Sequence, residues 1–387
     1  MKSIFKTLLL IALLSSCGNK SNNKTTHYIG AYRIMDQMVP YPYIVKQNSD
    51  SLYLFNNSGL LIDRTEGERI EKNKTIEFKE KHFNVLNRKK DNFYAFDLLD
   101  TLNFRPFKNG APNPKNSVKF VQIQSDFDID IRLLKNDFKN TIWEYNVVED
   151  ENSNPNKDLE IKQTIKVKED SLYVLTDYYY QGIKTVSEFE TKSYNLFKID
   201  SICFLSFQKE ENNPQTIFQI VEHRPGKIDL RDFSSSEIKD ISYYKSSFKE
   251  DDYVNSISNA NKYSNCFDGY QGEYYFGDDV TFNKGNQFLI DYVSKNAPIT
   301  EDKSGYIIVQ FTINCNGDVG HFGLIQMDRD FKKMSFQKEI IKHILSKVST
   351  LNDFPSSYSQ IEWLDYKDIH AFLMFKLHNG KIVDLCP

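Results

Sequence analysis

Asp126, Asp128 and Asp130 occupy alternate positions of Asp126-Phe127-Asp128-Ile129-Asp130. Three carboxylates on one strand face could hold a calcium ion or exchange protons. A helix-loop-helix calcium site needs glycine at its sixth position and a bidentate glutamate at its twelfth. Here Ile131 and Asp137 stand there, so the pattern predicts a solvated strand face. The histidines, His27, His82, His223, His321, His343, His370 and His378, are scattered without the H-x-x-x-H or C-x-x-C spacing of a zinc site. No metal ligand set is assigned. No G-x-S-x-G elbow, glycine-rich phosphate loop or Cys-His nucleophile signature is present, so no catalytic residue and no cofactor is assigned. Tyr178-Tyr179-Tyr180 could stack on a glycan or a flat ligand, although on a strand such a run divides between core and surface.

Cys315 stands at the mouth of a turn, in Phe311-Thr312-Ile313-Asn314-Cys315-Asn316-Gly317-Asp318. Asn316-Gly317 suits a two-residue type I′ hairpin, in which both central residues take positive φ. The compartment decides what the thiol can do. The chain opens with Lys2 and Lys6, an apolar stretch from Thr7 to Leu14, and Leu14-Ser15-Ser16-Cys17, a secretory signal too short for a permanent membrane helix. Leu14-Ser15-Ser16-Cys17 resembles the lipobox of bacterial lipoproteins. The resemblance implies cleavage before Cys17, lipidation of its thiol, and an acyl anchor as the sole membrane attachment. Residues 1–16 are then the signal peptide and 17–26 a polar tether. Gly18, with no aspartate after the cysteine, resembles the outer-membrane sorting pattern. The expected location is the cell envelope, at the outer membrane facing the periplasm or exposed at the surface. An exported chain meets oxidising conditions, and with Cys17 taken by lipid, Cys203, Cys266, Cys315 and Cys386 remain for pairing. A Cys266–Cys315 bridge would tie the entry of the last unit to its hairpin; the alternative is a free Cys315 packed at a strand end.

The 387 residues carry a formal net charge of −4 with interspersed signs, which excludes a nucleic-acid binder, and 40% hydrophobic content fills real cores. Short β-type runs broken by polar turns, such as Ser51-Leu52-Tyr53-Leu54-Phe55 and Phe93-Tyr94-Ala95-Phe96, predict antiparallel β architecture. Asp50-Ser51-Leu52-Tyr53-Leu54 is echoed by Asp170-Ser171-Leu172-Tyr173-Val174, and Ile29-x-x-Tyr32 by Ile142-x-x-Tyr145. The fold class expected is therefore two related β units, 27–107 and 138–208, followed by a small α+β domain. Residues 108–137 are read as a linker with connecting strands. Residues 209–264 are read as a polar connecting region with a short helix around Glu237-to-Tyr244. Residues 265–387 read as β-α-β-β-α-β with a terminal hairpin, Ser335 capping the second helix.

Gly305-Tyr306-Ile307-Ile308-Val309-Gln310-Phe311-Thr312-Ile313, the Asn-Gly turn and Gly323-Leu324-Ile325 resemble the opening hairpin of the TonB C-terminal domain family. Phe336-Gln337-Lys338-Glu339-Ile340 resembles its following helix, and Ala371-Phe372-Leu373-Met374-Phe375-Lys376-Leu377 with Asn379-Gly380 its last strand and turn. The resemblance implies that fold, and pairing of an exposed sheet edge with a periplasmic or outer-membrane protein segment. Phe372, Met374 and Lys376 are the expected edge positions. The transmembrane helix and Pro-rich stretch of energy-transducing members are replaced here by a lipobox and β units. The expected function is thus a membrane-anchored, non-enzymatic interaction module of the envelope, linked to envelope transport. The alternatives are a β-domain lipoprotein binding an apolar or glycan ligand and, more remotely, an envelope hydrolase.

Overall fold

The computed structural model describes residues 25–34, 37–56, 58–79, 81–97, 118–125, 127–147, 158–168, 171–208, 216–233, 238–266, 271–273, 282–298, 302–355 and 368–386. The leader, Cys17, most of the tether and Asp126 lie outside them. The chain is mainly antiparallel β, in three sheets.

The first sheet holds β1 (Thr26–Ile34), β2 (Gln37–Gln47), β3 (Ser51–Asn56), β4 (Leu61–Glu66), β5 (Thr75–Glu77), β6 (His82–Arg88), β7 (Asn92–Asp97) and β8 (Val118–Ile123). Each strand pairs with its sequence neighbours, β8 pairs back onto β1, and only β4 and β5 remain unjoined. This is an up-and-down barrel with one seam. The Asp63 carboxylate reaches across the seam to accept the backbone N–H of Lys79. Alternation sends Tyr28, Leu52, Leu54, Phe83, Val85, Phe93 and Phe120 inward, all buried. Phe93 and Phe120 stack at 4.5 Å, so aromatic rings fill this interior.

The second sheet holds β9 (Ile142–Val147), β10 (Glu160–Lys168), β11 (Ser171–Tyr180), β12 (Ile183–Ile199), β13 (Ile202–Gln208), β14 (Thr216–Arg224), β15 (Lys227–Asp232) and β16 (Lys239–Lys245). It has the same order, and β16 pairs with β9 as β8 does with β1, but here β12 also pairs with β13, so the barrel closes without a seam. The two repeated motifs fall on corresponding strands. Ser51 opens β3 and Ser171 opens β11, the third strand of each barrel, while Ile29 and Ile142 lie on the first strands. Leu52 and Leu172 are both fully buried in their interiors.

Several sequence boundaries are corrected. Residues 108–137 contain β8, at the centre of the first sheet, and helix α1 (Ile131–Asn140). Asp130 is not on a strand face. Its side chain accepts from the backbone N–H groups of Arg132 and Leu133 at 2.8 and 3.3 Å and caps α1. An aspartate followed by a 3.6-residue apolar stripe starts a helix, which overrides the short alternation before it. Residues 209–264 supply β14 to β16, and the helix expected around Glu237-to-Tyr244 is the strand β16. A barrel strand needs an apolar residue only at every second position, so these segments look polar in sequence although Ile220, Ile228, Leu230 and Tyr243 are buried.

The outer faces of the barrels join. Ile29, Ile44, Val121 and Ile123 of the first pack on Phe197, Ile199, Ile202, Phe204 and Ile217 of the second. At the rim of this contact Asp200 accepts from Lys46 at 2.9 Å and lies 2.9 Å from Nε2 of His27. Helix α2 (Glu250–Ser258) then covers the outside of the closed barrel through Tyr253, packed with Ile142 and Leu175. The two-residue strand β17 (Asn261–Lys262) pairs parallel to β12 at Glu188 and Phe189.

The C-terminal unit runs β18 (Gln271–Glu273), α3 (Gly285–Ser294), β19 (Gly305–Ile313), β20 (Val319–Asp328), α4 (Lys338–Val348), β21 (Asp368–His378) and β22 (Lys381–Cys386). The sheet order is β18-β21-β19-β20, with β22 also on β21. Leu289 and Val293 of α3 and Ile340, Ile341, Ile344, Leu345 and Val348 of α4 bury with Ile307, Val309, Phe311, Leu373 and Phe375 of the sheet. Gln337, not Ser335, is the N-cap of α4.

The Cys315 turn is not type I′. The Gly317 N–H donates to Asn314 O at 2.9 Å and only Gly317, at φ 83°, has positive φ. This is a type I turn closed by a left-handed glycine, the three-residue hairpin loop. The Asn314 side chain stabilises it by accepting the N–H groups of Asn316 and Asp318, each at 2.9 Å. Asn379-Gly380, with φ of 48° and 69°, does have the I′ signs. A Cβ on Gly317 would lie 2.2 Å from the carbonyl oxygen of Phe354. Gly317→Ala is therefore expected to cost about 1–3 kcal/mol, since strain and clash coincide, measurable as a lowered urea midpoint.

Candidate functional site

The two barrel interiors differ. In the closed barrel, α1 plugs one end: Leu134 and Phe138 bury among Trp143, Ile165, Val167, Leu172 and Cys203. The Phe138 ring lies 6.4 Å from Trp143 and 6.1 Å from Tyr194. Lys198 clips the plug by donating to Ile129 O at 2.9 Å, and Asp137 on α1 lies 3.0 Å from Nε2 of His223 on β14. At this end everything is packed. Cys203 is buried, burial raises its thiol pKa, and its partner is a carbonyl, Ile129 O.

Beyond this packed layer several inward positions are polar or only partly buried. Cross-strand register places Tyr145 beside Gln163, Gln163 beside Thr176, Val174 beside Glu190 and Leu172 beside Lys192. Residues directly opposite share a face, so these side chains share the inward face with the core. Tyr194, Phe207 and Ile241 pack on the same core from partly exposed positions. Lys192 and Glu190 pair at 2.9 Å with side chains 20% and 15% exposed. This inward row, aromatic at Tyr194 and Phe207 and charged at Glu190 and Lys192, is the candidate binding cup.

β12 explains the shape. Its second half pairs with β13 and its first half only with β11, with β17 on the far edge at Glu188 and Phe189. The β11–β12 hairpin, with β10 paired along β11 as far as Tyr179, therefore forms a ribbon whose β12 edge is not covered by β13. The C-terminal unit packs on the inward face of that ribbon: Tyr178, Tyr180 and Val186 join its core, and the Tyr180 hydroxyl donates to Phe336 O at 3.1 Å. Tyr178 and Tyr180 are thus core residues of a junction, and Tyr179 is half-buried on the opposite face.

Cys266 and Cys315 are joined as a disulfide with Cα atoms 5.8 Å apart. Met374 and Lys376 do not lie on a sheet edge, while Phe372 falls between the stretches of β21 that β18 and β22 pair. β21 is flanked by β19 on one side and by β18 and β22 on the other. Their register partners are Gln310, Ile308 and Tyr306, so they sit on the sheet surface opposite the helices. The terminal hairpin makes β22, with exposed Lys381, Val383 and Asp384, the outer strand. Among the described residues no group of three or more His, Cys, Asp or Glu side chains could hold a metal ion. No described helix is long and apolar enough to cross a membrane.

Sequence reasoning missed the cup and the barrel closure. The one available signal was charge on an inward register: Glu188, Glu190 and Lys192 alternate with Val186, Tyr194 and Leu196 along one face. No protein-family model and no curated protein matches the chain.

Proposed function

We propose that the chain is an exported, lipid-anchored protein of the bacterial envelope whose closed barrel holds a small amphiphile with a planar apolar body and a negatively charged end. The observation that carries this reading is the partly buried inward row Tyr145, Gln163, Glu190, Lys192, Tyr194 and Phe207, beside a fully packed core. Aromatic faces take the apolar body, and the Lys192 ammonium takes the charge. The anchor follows from the lipobox-like Leu14-Ser15-Ser16-Cys17. No step here requires a nucleophile, so the proposed role is binding rather than catalysis.

The test uses anilinonaphthalene sulfonate, a fluorescent anionic amphiphile, titrated into the full chain. One-to-one binding is expected, weakened about tenfold by Lys192→Met, in line with the loss of one charge-assisted contact. Phe207→Ala should weaken it similarly. Binding that neither substitution changes would overturn the reading.

A second reading is supported by the strand and helix order of residues 271–386, β-α-β-β-α-β-β, taken with the TonB-like motifs of the sequence. In it the C-terminal unit takes up a periplasmic or outer-membrane protein segment by strand addition along β22. A pull-down unchanged after deletion of residues 265–387 would count against it.

A further inference from the structure

Glu188 lies on the inward face of β12 where the β11–β12 ribbon meets the C-terminal unit. The residue is 4% exposed. The Tyr178 hydroxyl donates to its Oε2 at 2.9 Å, and the backbone N–H of His321 on β20 donates to its Oε1 at 2.7 Å. The Tyr178 ring packs edge-on against Phe322 at 5.7 Å. His321 adopts φ 55°, and its ring meets Tyr263 at 5.0 Å. Tyr263 also fills the space that a Cβ on Gly320 would need. Three separate segments therefore converge on one enclosed carboxyl: the ribbon, the β17 linker and the start of β20. The titratable groups facing it are Tyr178 and Glu190 from the barrel, Tyr263 from the linker and His321 from the C-terminal unit. None is a permanent cation.

We propose that Glu188 is a proton-held clasp between the closed barrel and the C-terminal unit. Neutral, with its proton on Oε2, it reverses the first of its two bonds, donating to the Tyr178 oxygen while Oε1 still accepts the His321 N–H across the junction. Ionised, it places a charge with no countercharge in an enclosed seam and loosens the docking. The inference stands on the junction alone and does not require the ligand reading.

Burial holds the Glu188 pKa up at about 8, against 4.5 for the ordinary side chain. The docked carboxyl thus keeps its proton at pH values where a released one has lost it. The clasp is complete below about pH 4.5, weakens by up to about tenfold per pH unit from there to about 8, and is constant above.

Hydrogen exchange of the full chain between pH 5 and pH 9, corrected for the intrinsic pH dependence of amide exchange, tests this. Protection of Tyr178–Tyr180 and of His321–Leu324 should fall about fiftyfold from pH 6 to pH 8. Amides of β13 to β15 should not change. Glu188→Gln keeps both contacts, its carbonyl accepting from His321 and its NH2 donating to the Tyr178 oxygen, so its protection should be independent of pH. Tyr178→Phe should lower junction protection at every pH and retain the slope. A flat wild-type profile, an equal slope in Glu188→Gln, or an equal fall in β13 to β15 would each overturn the proposal.

Discussion

Phe138→Ala is expected to destabilise the closed barrel by about 3–5 kcal/mol, the range for removing a fully enclosed aromatic ring from a packed site. Phe138 is 2% exposed and is the deepest ring of the α1 plug, beside Trp143 and Tyr194. Little can collapse into the space it leaves, because α1 is held at both ends: Asp130 caps its start, and its last residue runs within two positions into β9. Leu133 on the same helix is 60% exposed, and Leu133→Ala should change stability by no more than about 0.5 kcal/mol. Chemical denaturation followed by near-ultraviolet circular dichroism compares the two. Equal midpoints would mean that α1 does not seal the barrel.

Paired replacement of Cys266 and Cys315 by serine is expected to cost up to about 4 kcal/mol, the chain-entropy value for a loop of 49 residues. The bridge fixes the segment after β17 to the β19–β20 turn, and other contacts converge there. The buried Asp368 carboxylate accepts the Cys266 N–H with both oxygens at 3.0 Å, and Asn314 Nδ2 donates to Ser264 O at 3.0 Å. These contacts keep the ends close in the native state, so the loss arises mainly in the unfolded chain. Thermal unfolding of the double variant, compared with the oxidised chain, should show a lowered transition for the C-terminal unit while the barrels keep theirs. Unchanged unfolding would make the bridge a spectator.

How much of this was legible in the sequence depended on locality. The hairpins of β19–β20 and β21–β22 and helix α4 were readable because strong alternation, Asn-Gly pairs and a 3.6-residue stripe lie within short windows. The tandem repeat was readable as two short echoes, and these mark equivalent strands. Closure was not. Whether β16 meets β9 depends on contacts about a hundred residues apart, and β14 to β16 carry too few apolar residues to announce themselves. The edge assignment fails at Met374 and Lys376 because β22, a few residues beyond them in the chain, pairs back onto β21. The cup was illegible for the same reason: Glu190 and Lys192 look like surface charges until register turns them inward.

The length of β12 has one more consequence. Its 17 residues touch the first barrel through Phe197 and Ile199, the barrel core through Leu196, the cup through Lys192 and Glu190, and the C-terminal unit through Glu188 and Val186. A slip of one residue would exchange its two faces along the whole strand. The phenylalanine meant for the neighbouring barrel would turn inward, and the charged pair would turn out. Three assemblies therefore share a single axle, whose alignment is decided once, during folding, for all of them.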